Sequence, residues 1–353
     1  MAEISEVIKE KNIQKVHSFL RTNTKMSAIL VFLLLGILSS ITAAESVGVC
    51  YGVLGDSLPS KQEVVDLYES IGIGKMRIYF PEPDTLEALK GSGIELIMDV
   101  ARESLQSLTD QNAAMDWVNT NVVPYAQEVN FKYISVGNEI RPDYNEAQYI
   151  LPAMTNIHNA ISSVNLGQIK VSTAIDLTLI SNPYPPNDGV FNSQSYIIPI
   201  VEFLKNTEAP LLANIYPYFA YVGDKENIPL EYALFTQQGE NSVGYQNLFD
   251  AMLDSVYAAL EKAGAGDVKI VVSESGWPSA GGDGASAENA ATYYANLIAH
   301  AKSGSGTPKR PGGSIETYLF AMFDENNKQG EESEKHFGLF TPDKSPKYQL
   351  TFN

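Results

Sequence analysis

The chain is poor in cysteine. It has one, Cys50, among 353 residues, which excludes an intrachain disulfide and a cysteine metal cluster. Its plain reading is a small buried hydrophobe. His158, His300 and His336 are scattered, and neither an HExxH nor a His/Cys spacing occurs. No metal and no cofactor is therefore expected. Positive charge is scarce as well: 24 Lys and Arg face 42 Asp and Glu, a formal net charge of −18. Residues 1–44 carry five basic and three acidic side chains, so the remainder is more acidic still. That balance argues against nucleic acid and anionic membrane surfaces as partners. It suits a neutral or cationic one.

Several motifs are missing too. There is no GxSxG elbow for a serine nucleophile. Tyr51-Gly52-Val53-Leu54-Gly55 does not make GxGxxG, and Gly281-Gly282-Asp283-Gly284 lacks the Lys-Ser/Thr of a phosphate loop. No N-x-S/T sequon occurs, so N-glycosylation is not expected. The end, KSPKYQLTFN, has no hydrophobic tail for a lipid anchor.

One long apolar run is present, MSAILVFLLLGILSSITAA from Met26 to Ala44, with Lys15, Arg21 and Lys25 upstream. It is shorter than the ~20 apolar residues of a membrane span and decays into Ser and Thr. Residues 1–44 thus read as a secretory leader, with Met26 as an alternative start and 45–353 as the mature chain. That chain is expected to be secreted, monomeric and free of the membrane.

From residue 45 two textures alternate. Short β-type runs are VGVCYG (47–52), KMRIYF (75–80), IELIMDV (94–100), FKYISVGNE (131–139), IKVSTAID (169–176), PLLANIYPYF (210–219), VKIVVSESG (268–276) and SIETYLFAMF (314–323). Helix-type spacing recurs in 61–71, 112–129, 147–164, 246–264 and 286–304. Gly264 and Gly304 serve as helix stops. Eight such alternations predict an α/β chain folded as one (β/α)₈ TIM barrel, with a longer sixth βα loop over 220–246. A doubly wound open sheet is the rival, and it wants the glycine loop that is missing.

Two of these runs end in a carboxylate. Glu139 closes the fourth and Glu274 the seventh. Barrels carry catalytic groups at the C-terminal ends of strands, and those two strands face each other across the rim. A pair of carboxyls, one protonated and one ionised, can hydrolyse a glycosidic bond. Flat, partly apolar sugar faces stack on aromatics. Tyr79, Tyr216, Tyr218, Phe219, Phe323 and Trp277 all fall at the rim on this strand count. Of these, Tyr79, Tyr216, Phe323 and Trp277 are taken as substrate-binding.

The motifs SVGNE around Glu139, SESGWPSAGG around Glu274, and ETYLFAMFDENNKQG followed by HFGLFTPDKSPKY resemble glycoside hydrolase family 17. The family includes the plant endo-1,3-β-glucanases, pathogenesis-related forms among them, and the likeness runs from Val47 to the last residue. It implies a (β/α)₈ barrel, retaining chemistry and a β-1,3-glucan substrate. Carried over, Glu139 matches the acid/base and Glu274 the nucleophile. Asn138 resembles the residue aimed at the sugar 2-OH, and Glu325, Lys328 and Glu334 match a supporting charged network. Two rival functions stay open: a mixed-linkage 1,3-1,4-β-glucanase, and a non-catalytic wall-binding or storage barrel. By the same resemblance the wall space is favoured over the vacuole as destination, with defence or wall turnover as the role.

Overall fold

The computed structural model describes residues 47–352. The expected leader, 1–44 with Met26, lies outside the described residues. Eight parallel strands close into a barrel: β1 (Gly48–Cys50), β2 (Lys75–Ile78), β3 (Glu95–Val100), β4 (Asn130–Asn138), β5 (Lys170–Ile175), β6 (Leu211–Asn214), β7 (Ile270–Ser275) and β8 (Thr317–Leu319). Pairing of Gly48 with both Tyr318 of β8 and Lys75 of β2 completes the ring. Their residues are buried almost throughout because helices cover the outer face and side chains fill the inner one.

Nine α-helices occur among the described residues: α1 (Lys61–Ile71), α2 (Pro83–Leu89), α3 (Gln111–Asn121), α4 (Ala147–Ser163), α5 (Gln194–Thr207), α6 (Pro217–Gly223), α7 (Leu230–Ala233), α8 (Leu248–Lys262) and α9 (Ala287–Lys302). Their starts follow local chemistry. Ser60 and Glu63 form a reciprocal capping box on α1, and Asn247 and Ser286 cap α8 and α9. Gly264 and Gly304 follow α8 and α9 with φ of 75° and 74°, which lets the chain leave each helix in the left-handed region. None of these helices is long and apolar enough to cross a membrane.

The expected barrel holds, with local corrections. Helices α2 and α5 escape the sequence reading. One spans only seven residues, and the other carries Pro199 in its interior, a residue that ordinarily breaks the pattern. The helix expected over 112–129 stops at Asn121. The strand expected over 314–323 is three residues long. After β8 a single 3₁₀ turn, Glu332–Lys335, stands in place of an eighth α-helix. The long connection after β6 carries α6 and α7 before α8 begins.

Candidate active site

The strand ends surround a cleft of about 880 Å³. Its floor is organised by Arg77, a fully buried residue of β2. Its guanidinium grips Asp99 of β3 with two nitrogens, at 2.7 and 3.2 Å. The same group donates to Asn138 Oδ1 (3.0 Å), Asn214 Oδ1 (3.2 Å) and Glu274 Oε1 (2.9 Å). A planar fork with five N–H donors can hold that many oxygens at fixed angles, which a lysine cannot.

Glu274, at the end of β7, accepts three side-chain hydrogen bonds. Besides Arg77, Tyr79 donates to Oε1 (2.9 Å) and Tyr216 to Oε2 (2.7 Å). Burial, reinforced by the charge of Glu274, holds both phenols well above their ordinary pKa, so each keeps its proton as a donor. Three donors match the lone pairs of an ionised carboxylate.

Glu139 follows β4 with φ of 52°, an uncommon value for a residue with a side chain. Such a conformation costs about 1–3 kcal/mol and persists only where the surroundings fix it. Here the backbone N–H of Glu139 donates to the Ala174 carbonyl (2.9 Å), and Asn214 Nδ2 donates to Oε1 (2.8 Å). Burial, then the charge of Glu274, pushes the Glu139 carboxyl up to about 7, against the opposing Asn214 bond. The two glutamates therefore share one cleft and are linked through two residues. Asn214 donates to Glu139 and accepts from Arg77, which binds Glu274.

Asn138 accepts from both Arg77 and Asn214 through Oδ1. Its Nδ2 has no protein acceptor among the described residues, and the side chain lines the cleft. Glu325, Lys328 and Glu334 line it as well. Glu325 accepts from Leu54 N (2.9 Å), and a Cβ on Gly52 would meet its carboxylate at 2.3 Å, so a side chain at 52 would displace that carboxylate. Lys328 pairs with Glu334 at 2.8 Å and lies 4.4 Å from the centre of the Phe320 ring. Burial works against the ammonium of Lys328, yet neighbouring carboxylates, Glu334 foremost, hold its pKa above the ordinary value.

Two expected sugar platforms are corrected. Phe323 is 1% exposed and packs edge-on to Tyr51, away from the cleft. Because β8 ends at Leu319, the ring delivered to the cleft is Phe320. Trp277 is wholly buried. It donates Nε1–H to the Gly284 carbonyl (2.9 Å) and is wedged among Tyr218, Tyr221 and Tyr293. Tyr218 is buried too. Phe80, Phe219, Phe320 and Phe337 join Tyr51, Tyr79 and Tyr216 in the aromatic lining. Arg77, Asp99 and Asn214 went unnoticed in the sequence, although each is a polar residue inside an apolar strand run.

This geometry has counterparts of known class. The family profile "Glycosyl hydrolases family 17" matches residues 47–352. A glucan endo-1,3-beta-glucosidase of Vitis vinifera is 57% identical over 344 residues, spanning 94% of this chain and 99% of that one. Among solved structures, a beta-1,3-glucanase and allergen of Cryptomeria japonica pollen superposes with a TM-score of 0.85 at 46% identity, covering 88% of this chain and 99% of that one. A second structure comes from a pair of plant beta-glucan endohydrolases with distinct substrate specificities. It gives 0.82 at 41% identity, covering 87% and 100%. The profile spans all the described residues and the solved relatives share the closed barrel: the chain belongs to glycoside hydrolase family 17.

Proposed function

We propose that the protein hydrolyses internal 1,3-β-D-glucosidic linkages of 1,3-β-D-glucans by a retaining mechanism, with residues 45–353 as the catalytic unit. One observation carries the reading: Glu139, titrating at about 7, and Glu274, held by three donors, open on the same cleft. The names of the relatives support the linkage. Glu139 donates its proton to the leaving glycosidic oxygen while Glu274 attacks the anomeric carbon. Water then enters against the glycosyl ester, and Glu139 takes a proton from it. Asn138 turns its free Nδ2 to the sugar 2-OH, where a hydrogen bond strengthens as charge develops. Glu325, Lys328 and Glu334 shape the electrostatic wall, and Tyr79 and Tyr216 orient the nucleophile. The substrate is neutral, so the acidic surface does not repel it. The leader directs the mature monomer to the wall space, where glucan turnover or defence is its task.

A mixed-linkage 1,3-1,4-β-glucanase is the second reading. It is kept because a similar solved structure belongs to a pair of endohydrolases of distinct specificity. Reducing-end release from a linear 1,3-glucan and from a mixed-linkage glucan separates the two. Cleavage of the mixed polymer alone rejects the first. Glu274→Gln lowers turnover by about 10⁴-fold or more with the fold retained. An unchanged rate, or glucan binding without product from the parent, points to a non-catalytic binding barrel.

A further inference from the structure

A second hollow, of about 550 Å³, opens beside the cleft. Tyr79 and Phe80 line both, so the two spaces adjoin across these rings. Arg102 and Ser104 reach the hollow from the first of two 3₁₀ turns after β3, and Trp117 and Asn121 reach it from α3. Phe80 is 38% exposed, and Trp117 packs on the core while remaining half-buried. Asn121 donates Nδ2–H to the Trp117 carbonyl (2.9 Å). Its amide oxygen, the Ser104 hydroxyl and Trp117 Nε1 have no protein partner among the described residues. Ring faces edged by free donors and acceptors fit a pyranose, whose C–H face stacks while its hydroxyls bond at the rim. The charges disfavour an ionic occupant: Arg102 is paired with Glu146 at 2.9 Å, and Glu103 stands on the same wall.

We propose that this hollow is a distal sugar-binding site, which holds a glucosyl unit of the substrate remote from the bond being cleaved. The inference rests on the glucanase reading. The occupant is either a further unit of the main chain or a side branch, and the chemistry of recognition is the same for both.

The test compares the parent with Trp117→Ala on linear 1,3-gluco-oligosaccharides of increasing length and on a branched 1,3-glucan. The KM for long linear chains rises about threefold to tenfold, the span expected for one aromatic contact. The effect is absent on oligosaccharides short enough to occupy the cleft alone, and kcat stays level. A rise limited to the branched polymer assigns the hollow to the branch. Ser104→Tyr, which fills the hollow from its rim without touching the core, reproduces the result and covers a Trp117→Ala chain that fails to fold. An unchanged KM with every substrate in the folded variants, or an equal rise on short and long chains, overturns the proposal. A parent that cleaves no glucan defeats the functional reading, and this inference with it. A cleaving parent with indifferent variants defeats this inference alone.

Discussion

Replacing Glu139 by Gln is expected to stabilise the protein above neutral pH and not below pH 4. The folded protein holds this proton at about 7, against 4.5 for an unconstrained glutamate. A folded state that binds a proton more tightly gains stability fully below the unfolded value and loses it as the pH rises through the folded one. Each tenfold difference in proton affinity is about 1.4 kcal/mol, so the loss reaches about 3 kcal/mol by pH 8.5. That is an upper figure, because an open cleft screens part of the charge. The amide in the Glu139→Gln variant does not ionise and escapes the penalty. Spread over ~300 residues at about 2.1 cal/mol/K each, 3 kcal/mol corresponds to about 5 °C in melting temperature. Thermal or urea unfolding of both proteins at pH 4 and pH 8.5 measures the double difference. Titration of Asp99 and Glu325 is common to the two and cancels, provided their surroundings are unaltered. A variant whose advantage is the same at both pH values refutes the reasoning. The proton that makes Glu139 useful would then be held by something other than burial and the neighbouring charge of Glu274.

Two further outcomes follow from the same network. The alkaline limb of kcat/KM falls with a midpoint near 7, because the free enzyme loses the proton of Glu139 there; initial rates on a 1,3-glucan across pH 4–9 check it. Arg77→Met leaves Asp99 buried beside no cation and removes one donor from Glu274; denaturant unfolding should show a loss of about 3–5 kcal/mol, partly recovered when Asp99→Leu is added.

The sequence revealed the barrel because alternation of texture is imposed at every crossover. It revealed Glu139 and Glu274 because a carboxylate at the end of an apolar strand needs a reason to be there. Arg77, Asp99 and Asn214 obey the same rule and were equally visible, each a polar residue flanked by apolar ones in KMRIYF, IELIMDV and PLLANIY. What was not visible is where apolar strands stop. FAMF continues the apolar run past Leu319 because it packs beneath the final segment, with Ala321 N bonded to the Phe337 carbonyl and Leu339 N to that of Ala321. Composition does not distinguish that cover from a ladder, so the aromatic facing the cleft was misplaced from Phe320 to Phe323. Trp277 was misplaced for a related reason. Its neighbours, Tyr293 on α9 and Tyr218 and Tyr221 on α6, are distant in sequence. Helix α5 hides behind Pro199, although Ile197, Ile200, Val201 and Leu204 keep the buried spacing of a helix.

The guanidinium of Arg77 touches side chains from β3, β4, β6 and β7 while anchored on β2. Five staves of the barrel are therefore registered against one rigid plane, and none can slide without disturbing the others. Evolutionary drift is confined accordingly. A change in what the enzyme accepts has to be written on the outer lip, in side chains such as Leu54, Phe80 and Phe219 that already stand in water, because the floor leaves no room for revision one residue at a time.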